Sequence, residues 1–282
     1  MNEVVVRIKF LMPSLPKIEK RVAQAILDHP EGIVDMTLAE LARETNSSDA
    51  SIIRFCRRLG LNGYTELKNQ IQFDYTANDY VEEKIESNDS MTEILKKVFQ
   101  SNVKALEDTL VLASDEYEKA LDVLLNANSI SFFGVGDASA VCQLAHMKFG
   151  KLGYRTSCHT DNVFQLMQAG NLGPGDVAFA VSYEGRSKNI VESMRVAKER
   201  GATTIALTKM NKSPLLRVSD IKLFIATNDL TVCRDIVARR VADQMIIDTL
   251  YLGVLAKADN DKKQHLKQMR RIIDNNKLKK KE

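Results

Sequence analysis

Residues 37–67 constrain the fold more than any other part of this 282-residue chain. Thr37 is followed three residues later by Glu40, a pair typical of a capping box at a helix N-terminus. The inner face of the helix that follows is predicted to contain Leu38, Leu41 and Ala42. A polar turn then leads into a second helix, and we expect a left-handed backbone at Asn46, a conformation that asparagine tolerates better than most residues.

The second of these helices is the candidate for nucleic-acid contact. Ser47 or Ser48 is expected to cap it, and its inner face is predicted to comprise Ile52, Phe55, Cys56 and Leu59. The residues expected to point outward, and so to contact DNA, are Ser48, Asp49, Ser51, Arg54, Arg57 and Arg58. Arginine can bind guanine through two hydrogen bonds, and serine can bond a base or a phosphate. The pattern predicts a helix-turn-helix reader of double-stranded operator DNA, with a helical bundle bearing a solvated arginine face as the alternative.

From residue 128 onward, short runs rich in β-branched and aromatic residues alternate with helical stretches. The predicted strands are 130–135, 155–159, 177–183, 203–208 and 221–226. Strands that alternate with helices favour a parallel sheet covered on both faces. The sequence therefore predicts an all-α helix-turn-helix domain joined to an α/β doubly wound domain with a five-stranded parallel sheet.

Composition and periodicity divide the chain into four parts. We expect the helix-turn-helix domain over 1–77, a linker with a helical lead-in over 78–127, the sheet domain over 128–260 and a basic tail over 261–282. Residues 257–282 hold ten Lys or Arg against four Asp or Glu, so this segment has a net charge of +6, which exceeds the net charge of +3 of the whole chain. The lysine-rich stretch 277–281 is interpreted as a solvated chain end.

The first candidate ligand site is the turn that follows the first predicted strand. Glycines there allow backbone amides to approach an anion at a helix N-terminus, and the predicted contacts are Gly134, Gly136 and Ser139. A plain strand-to-helix turn is the alternative for so short a motif. Asp161 is added to the expected contacts because it follows the next strand, and ligands bind at the carboxyl ends of parallel strands.

The second candidate ligand site, residues 182–187, follows a strand with a buried pattern and opens a helix. The hydroxyls of Ser182 and Ser187, together with the amides of the first helical turn, are expected to form an anion cradle. Glu184 conflicts with this expectation, although it is included among the contacts, because a carboxylate repels a phosphate. Either its side chain points away or the ligand is not a phosphomonoester.

These features together resemble the RpiR family of bacterial regulators, in which a helix-turn-helix precedes a sugar isomerase (SIS) domain. The resemblance rests on 53–60, 63–64, 66–68 and the 182–187 turn, and it extends from Val4 to Ala256. It implies a flavodoxin-like SIS domain that binds a phosphosugar or related sugar effector, which modulates operator affinity. Because helix-turn-helix proteins usually bind DNA as dimers, we expect a homodimer or homotetramer, with contacts from the final helix and the sheet.

Other activities receive less support from the sequence. An aldose-ketose sugar-phosphate isomerase is the alternative, with His159 and Glu184 as its only candidate acid and base, and no residue is assigned as catalytic. A regulator that binds a sugar kinase is a third hypothesis. The four cysteines form no pairing pattern and the histidines lack metal-ligand spacing, so we expect reduced thiols, no metal and no cofactor. The charged N-terminus and the lack of a long apolar run predict a cytoplasmic protein without a membrane span.

Overall fold

The computed structural model describes residues 3–75, 85–226, 231–232, 235–236 and 238–275. The chain divides into two compact units. The first contains residues 1–112, 210–212 and 226–239, and the second contains 113–209, 213–225 and 240–282.

The first unit is mainly helical, as the sequence predicts. Its helices are α1 (Glu3–Leu11), α2 (Lys17–Asp28), α3 (Pro30–Asp35), α4 (Leu38–Glu44), α5 (Asp49–Arg58), α6 (Tyr64–Tyr75) and α7 (Met91–Val111), with a 3-10 turn at Met12–Ser14. The sequence pattern did not predict α1. The sequence Pro30-Glu31-Gly32 predicts the end of a helix, and α2 does end just before it, but Pro30 also opens α3. Proline suits the first turn of a helix, because the N–H groups there have no partner within the helix and proline has no N–H.

Apolar side chains from these helices form one buried cluster. The inner faces predicted for α4 and α5 are confirmed, since Leu41, Ile52 and Phe55 are fully buried. The helical spacing of Leu15, Ile18, Val22, Ala25 and Ile26 predicts one apolar face for the first long helix, now α2, and this prediction is wrong at one position. Ile18 is 43% exposed, and its neighbour Glu19 is buried instead. The charge of Glu19 is balanced by an arginine of α5, so the inner face of α2 is not purely apolar.

The second unit holds a five-stranded sheet. Its strands are β1 (Ser129–Phe133), β2 (Arg155–Cys158), β3 (Val177–Val181), β4 (Thr203–Lys209) and β5 (Ile221–Ile225). Two two-residue strands of the first unit, β6 (Thr231–Val232) and β7 (Asp235–Ile236), pair antiparallel. The remaining helices along the chain are α8 (Glu116–Leu125), α9 (Asp137–Lys151), α10 (Asn162–Gly170), α11 (Lys188–Glu199), α12 (Pro214–Arg217), α13 (Ala238–Lys257) and α14 (Asn260–Asn275).

Every neighbouring pair in the five-stranded sheet is parallel, and the order is β2-β1-β3-β4-β5. This order is the flavodoxin-like one, in which the chain reverses its direction of winding between β1 and β3. In β3, Val177 and Phe179 pack in one apolar cluster with α8, α9 and α13, whereas Ala178 and Ala180 pack in another with α10 and α11. The expected sheet with helices on both faces is therefore confirmed.

The helical lead-in expected within residues 78–127 comprises two helices, of which α7 belongs to the first unit and α8 to the second. The residues expected to form a basic tail are helical as far as Asn275, because Leu266 of α14 is buried in the sheet cluster. The lysine-rich stretch 277–281 lies outside the described residues.

Within the described ranges, Cys56, Cys142 and Cys158 are free thiols, and Cys233 lies outside those ranges. Burial raises the pKa of Cys56 to about 11 and also raises that of Cys142, so neither forms a reactive thiolate near neutral pH. No helix in the part of the chain that the structure describes has the length and apolarity needed to cross a membrane.

Candidate functional site

The turn between α4 and α5 has the geometry that the sequence predicts. The Thr37 hydroxyl accepts a hydrogen bond from the Glu40 amide while the Glu40 carboxylate accepts one from the Thr37 amide, so the capping box is confirmed. The hydrogen bonds that the Thr37 amide and hydroxyl donate to the Glu40 carboxylate lower the pKa of Glu40. Asn46 adopts a φ of 46°, and its carbonyl accepts a hydrogen bond of 2.7 Å from Arg21 of α2. The turn is thus fixed both by its own backbone and by a neighbouring helix.

We expect Asn46→Ala to lower the free energy of unfolding of the first unit by about 1 kcal/mol, because alanine has no means to relieve a left-handed backbone. Asn46→Gly should leave stability nearly unchanged, since glycine adopts positive φ freely. Urea unfolding of the full chain with each variant measures the difference. Both variants remove the same exposed side chain. Equal free energies of unfolding for Asn46→Ala and Asn46→Gly would therefore contradict a backbone origin of the effect.

The exposed face of α5 carries two arginines that are free of the protein core. Arg54 and Arg57 are exposed, while Ser48 caps the helix by accepting a hydrogen bond from the Ser51 amide. Asp49 lies in the first turn and is exposed, where its charge favours the positive end of the helix dipole. The face therefore presents guanidinium groups one turn apart, which suits contact with bases or phosphates.

Ser51 is a correction to the expected contact face. It is only 4% exposed, because it lies one turn before Phe55 on the side of α5 that faces the core. Its hydroxyl lies 2.9 Å from that of Ser48 and accepts a hydrogen bond of 3.2 Å from Arg54. Ser51 thus orients the Arg54 side chain instead of reaching outward itself.

Arg58 also has a contact that the sequence pattern did not predict. Its Nε donates a hydrogen bond of 2.7 Å to Glu19 Oε2, and this pair joins α5 to α2. The Glu19 side chain is 8% exposed, so the pair neutralises a buried carboxylate. The structure accordingly gives Arg58 a role in holding the helix in place.

The turn after β1 is one side of the candidate ligand site. A Cβ added to Gly134 would lie 2.7 Å from Cys142 Sγ and 2.9 Å from the Ala138 carbonyl oxygen, so only glycine fits there. Gly136 has a φ of 58° and a ψ of −132° at the N-terminus of α9, a backbone that is essentially restricted to glycine. The Ser139 hydroxyl donates to the Gly136 carbonyl and stabilises this turn from within.

The turn after β3 is the other side of the site. Ser182 and Ser187 are half-buried. Ser187 precedes the first residue of α11, and its side chain makes no capping hydrogen bond. Gly185 has a φ of 62° and lies against the buried Ser213. Because β1 and β3 are adjacent, the two turns flank the point where the winding reverses, which is where doubly wound sheets bind ligands.

Glu184 has a basic partner in the structure. Its carboxylate forms an ion pair with Lys209 at the end of β4, and the Lys209 ammonium also lies 4.9 Å from the centre of the Tyr183 ring. The negative charge at this turn is therefore balanced. The sequence pattern did not single out Lys209, because its partner lies 25 residues away.

Asp161 is part of a helix cap in the structure. Its Oδ1 accepts hydrogen bonds from the Val163 and Phe164 amides at 2.9 and 3.0 Å and so opens α10. The nearby Gln165 amide donates to both the Gly134 and His159 carbonyls, which ties the ends of β1 and β2 together. Asp161 and Gln165 thus shape the edge of the site whether or not they touch a ligand.

The fold and these two sites define a class of protein, a helix-turn-helix transcriptional regulator with a sheet domain of the SIS type. Residues 3–78 match the family model "Helix-turn-helix domain, rpiR family", and residues 123–252 match the SIS domain model. The chain belongs to the RpiR family of helix-turn-helix regulators.

Similarity to individual proteins extends along the whole chain. An uncharacterized HTH-type transcriptional regulator of Caldanaerobacter subterraneus is 36% identical over 280 residues, which cover 99% of both chains. The HTH-type transcriptional regulator HexR of Pseudomonas aeruginosa is 29% identical and covers 97% of this chain and 96% of its own. The structure of Vibrio vulnificus NanR complexed with ManNAc-6P has a TM-score of 0.62 at 24% identity and covers 98% of this chain and 100% of that one. This last likeness is one of fold.

Proposed function

We propose that α5 reads operator DNA through Arg54 and Arg57, and that the two turns at the sheet edge bind a sugar phosphate that modulates operator affinity. The observation that carries the effector part is the meeting of two helix N-termini, those of α9 and α11, at the reversal between β1 and β3. Backbone amides at helix N-termini favour anions, and the half-buried hydroxyls of Ser182 and Ser187 add donors.

The electrostatics of the second turn support a phosphorylated ligand. Glu184 is the carboxylate within this turn, and its ion pair with Lys209 offsets part of the repulsion that it would exert on a phosphate. Arg186 and Lys188 are exposed close by. The Vibrio vulnificus NanR structure, which shares the fold, was solved with the sugar phosphate ManNAc-6P. We therefore include hexosamine phosphates among the first compounds to test.

An isomerase function is less consistent with the same geometry. Glu184 is one of the two residues that the sequence offered as acid and base, and it is exposed and ion-paired with Lys209. The other, His159, is also exposed and lies with its ring centroid 6.0 Å from that of Phe164. Proton transfer on a sugar requires both groups to converge on a water-excluded substrate. We propose that the protein acts by binding alone.

Ser182→Ala is expected to abolish the thermal shift that the true effector produces, because the variant removes a hydroxyl donor from the cradle. The screen compares phosphorylated sugars with their unphosphorylated counterparts in the full chain. Ser187→Ala should behave in the same way. Ser129→Ala is the matched control, because Ser129 lies at the start of β1, at the opposite end of the strand from the site. Its hydroxyl donates a hydrogen bond to Asp176. A shift that persists in both cradle variants would contradict the assigned site.

A further inference from the structure

Helix α7 exposes a continuous apolar stripe that the rest of the described chain leaves uncovered. Met91, Leu95, Phe99 and Leu110 are between 65% and 77% exposed, and Leu106 is half-buried between them. Leu95 and Leu106 are separated by eleven residues, as are Phe99 and Leu110. Because an eleven-residue repeat is close to three helical turns, these side chains form a nearly straight line along the helix.

We propose that this stripe is an interface with a second copy of the chain, in which two α7 helices pack antiparallel about a two-fold axis near Asn102. At roughly 150–200 Å² for a large apolar side chain, the four exposed residues present roughly 500 Å² per chain. A symmetric pair would then bury about 1,000 Å², the size at which specific interfaces begin. A self-complementary stripe of this length suits a closed two-fold dimer.

Charge complementarity selects the antiparallel arrangement. Lys96 and Glu107 are both exposed, and neither forms an ion pair within the described ranges. They also lie eleven residues apart, so both flank the stripe on the same side. In an antiparallel pair, the flank that carries Lys96 and Glu107 lies beside the same flank of the second helix, so Lys96 of each copy meets Glu107 of the other. In a parallel pair this flank would lie beside the opposite flank of the second helix, and the two ion pairs would not form.

Asn102 lies near the centre of the stripe. It is half-buried, and its amide oxygen is buried without a hydrogen-bond partner. A single asparagine within an apolar helix seam can fix register, because it is satisfied only when it meets another polar group. The antiparallel arrangement brings the two Asn102 side chains together at the axis, where rotation of one amide turns its oxygen outward to accept a hydrogen bond from the NH2 group of the other.

The test is sedimentation velocity of the full chain without DNA or sugar, so that its result is independent of the proposed function. Leu95→Glu and Phe99→Glu should each weaken the dimer by about 100-fold or more, since each places two carboxylates in an apolar seam. Ile18→Glu is the matched control, because Ile18 of α2 is 43% exposed and lies outside the stripe. Circular dichroism should show all three variants folded, because the changed side chains are exposed.

Charge reversal tests the direction of the helices. Lys96→Glu or Glu107→Lys alone should weaken the dimer by about tenfold, because two like-charge contacts replace two ion pairs. The double variant should restore wild-type affinity.

Cysteine cross-linking tests the same arrangement. Asn102→Cys should form a disulfide-linked dimer under mild oxidation. Leu95→Cys should not, because residue 95 of the second copy lies near the other end of the paired helices. A wild-type chain that is monomeric at 100 µM, or a dimer that both stripe variants leave intact, would overturn the interface. Failure of the double reversal to restore affinity would overturn the antiparallel arrangement.

Discussion

A chain in which both Arg54 and Arg57 are replaced with alanine is expected to bind its operator about 100-fold more weakly. A well-placed arginine contact with a base is worth about 1–3 kcal/mol, and a phosphate contact adds salt-dependent affinity. Both side chains are exposed on the same face of α5, and only Arg54 has a hydrogen bond, to Ser51, that orients it. The fold should survive the change, because neither side chain packs in the core.

The two single variants separate the kinds of contact. If Arg54 reads a base, Arg54→Ala reduces the preference for the operator over unrelated DNA. If Arg57 binds phosphate, Arg57→Ala lowers affinity for every duplex and reduces the salt slope by about one. Fluorescence anisotropy at several salt concentrations, with a duplex selected from a random library by the wild-type chain, measures both quantities. Arg200→Ala is the control for net charge, since Arg200 is an exposed residue at the end of α11. Unchanged affinity in the double variant would exclude α5 as the reading helix.

Gly185→Ala is expected to remove effector binding, with a loss of at least 100-fold. A left-handed backbone costs a residue with a Cβ about 1–2 kcal/mol. The added Cβ would also contact Ser213 Oγ and lie 2.8 Å from Ser213 Cβ. Ser213 is only 3% exposed. Because the Gly185 carbonyl accepts a hydrogen bond from the Leu215 amide, the turn is unable to shift without losing that bond as well.

Titration calorimetry with the sugar identified by thermal shift measures this loss. Gly170→Ala is the matched control, because nothing lies within 4 Å of a Cβ at that position and Gly170 is part of α10. It should bind the effector as tightly as the wild type. DNA binding without effector should be retained in both variants, which shows that the first unit is folded. Unchanged effector affinity in Gly185→Ala would place the ligand away from this turn.

Local patterns were sufficient to predict the framework of both units. The capping box at Thr37, the left-handed turn at Asn46 and the inner face of α5 all depend on residues close in sequence. The five strands were also correct, because buried parallel strands appear as short runs of β-branched and aromatic residues. The strand order could not be read from these runs, since it depends on which strands pair across long separations.

The errors arose at two kinds of position. Some side chains have a partner that is distant in sequence, and others lie on the border between the buried and the exposed face of a helix. Ser51 was expected on the outward face of α5, yet it lies one turn before Phe55 and is buried. Glu19 and Arg58 are 39 residues apart, and no periodicity links them. The same holds for Glu184 and Lys209. Whether the assigned residues touch DNA or sugar remains a prediction for the experiments above.

The ion pair between Arg58 and Glu19 holds α5 in place, whereas Arg54 and Arg57 face outward on the same helix. Different residues therefore serve the two purposes. Substitutions at positions 54 and 57 should therefore accumulate without unfolding the helical unit. If α5 reads operator DNA as proposed, a duplicated gene for this chain would acquire a different promoter preference through exchanges at these two positions. For biosensor engineering, a library randomised at those two positions with Arg58 kept constant would sample altered specificity among folded proteins.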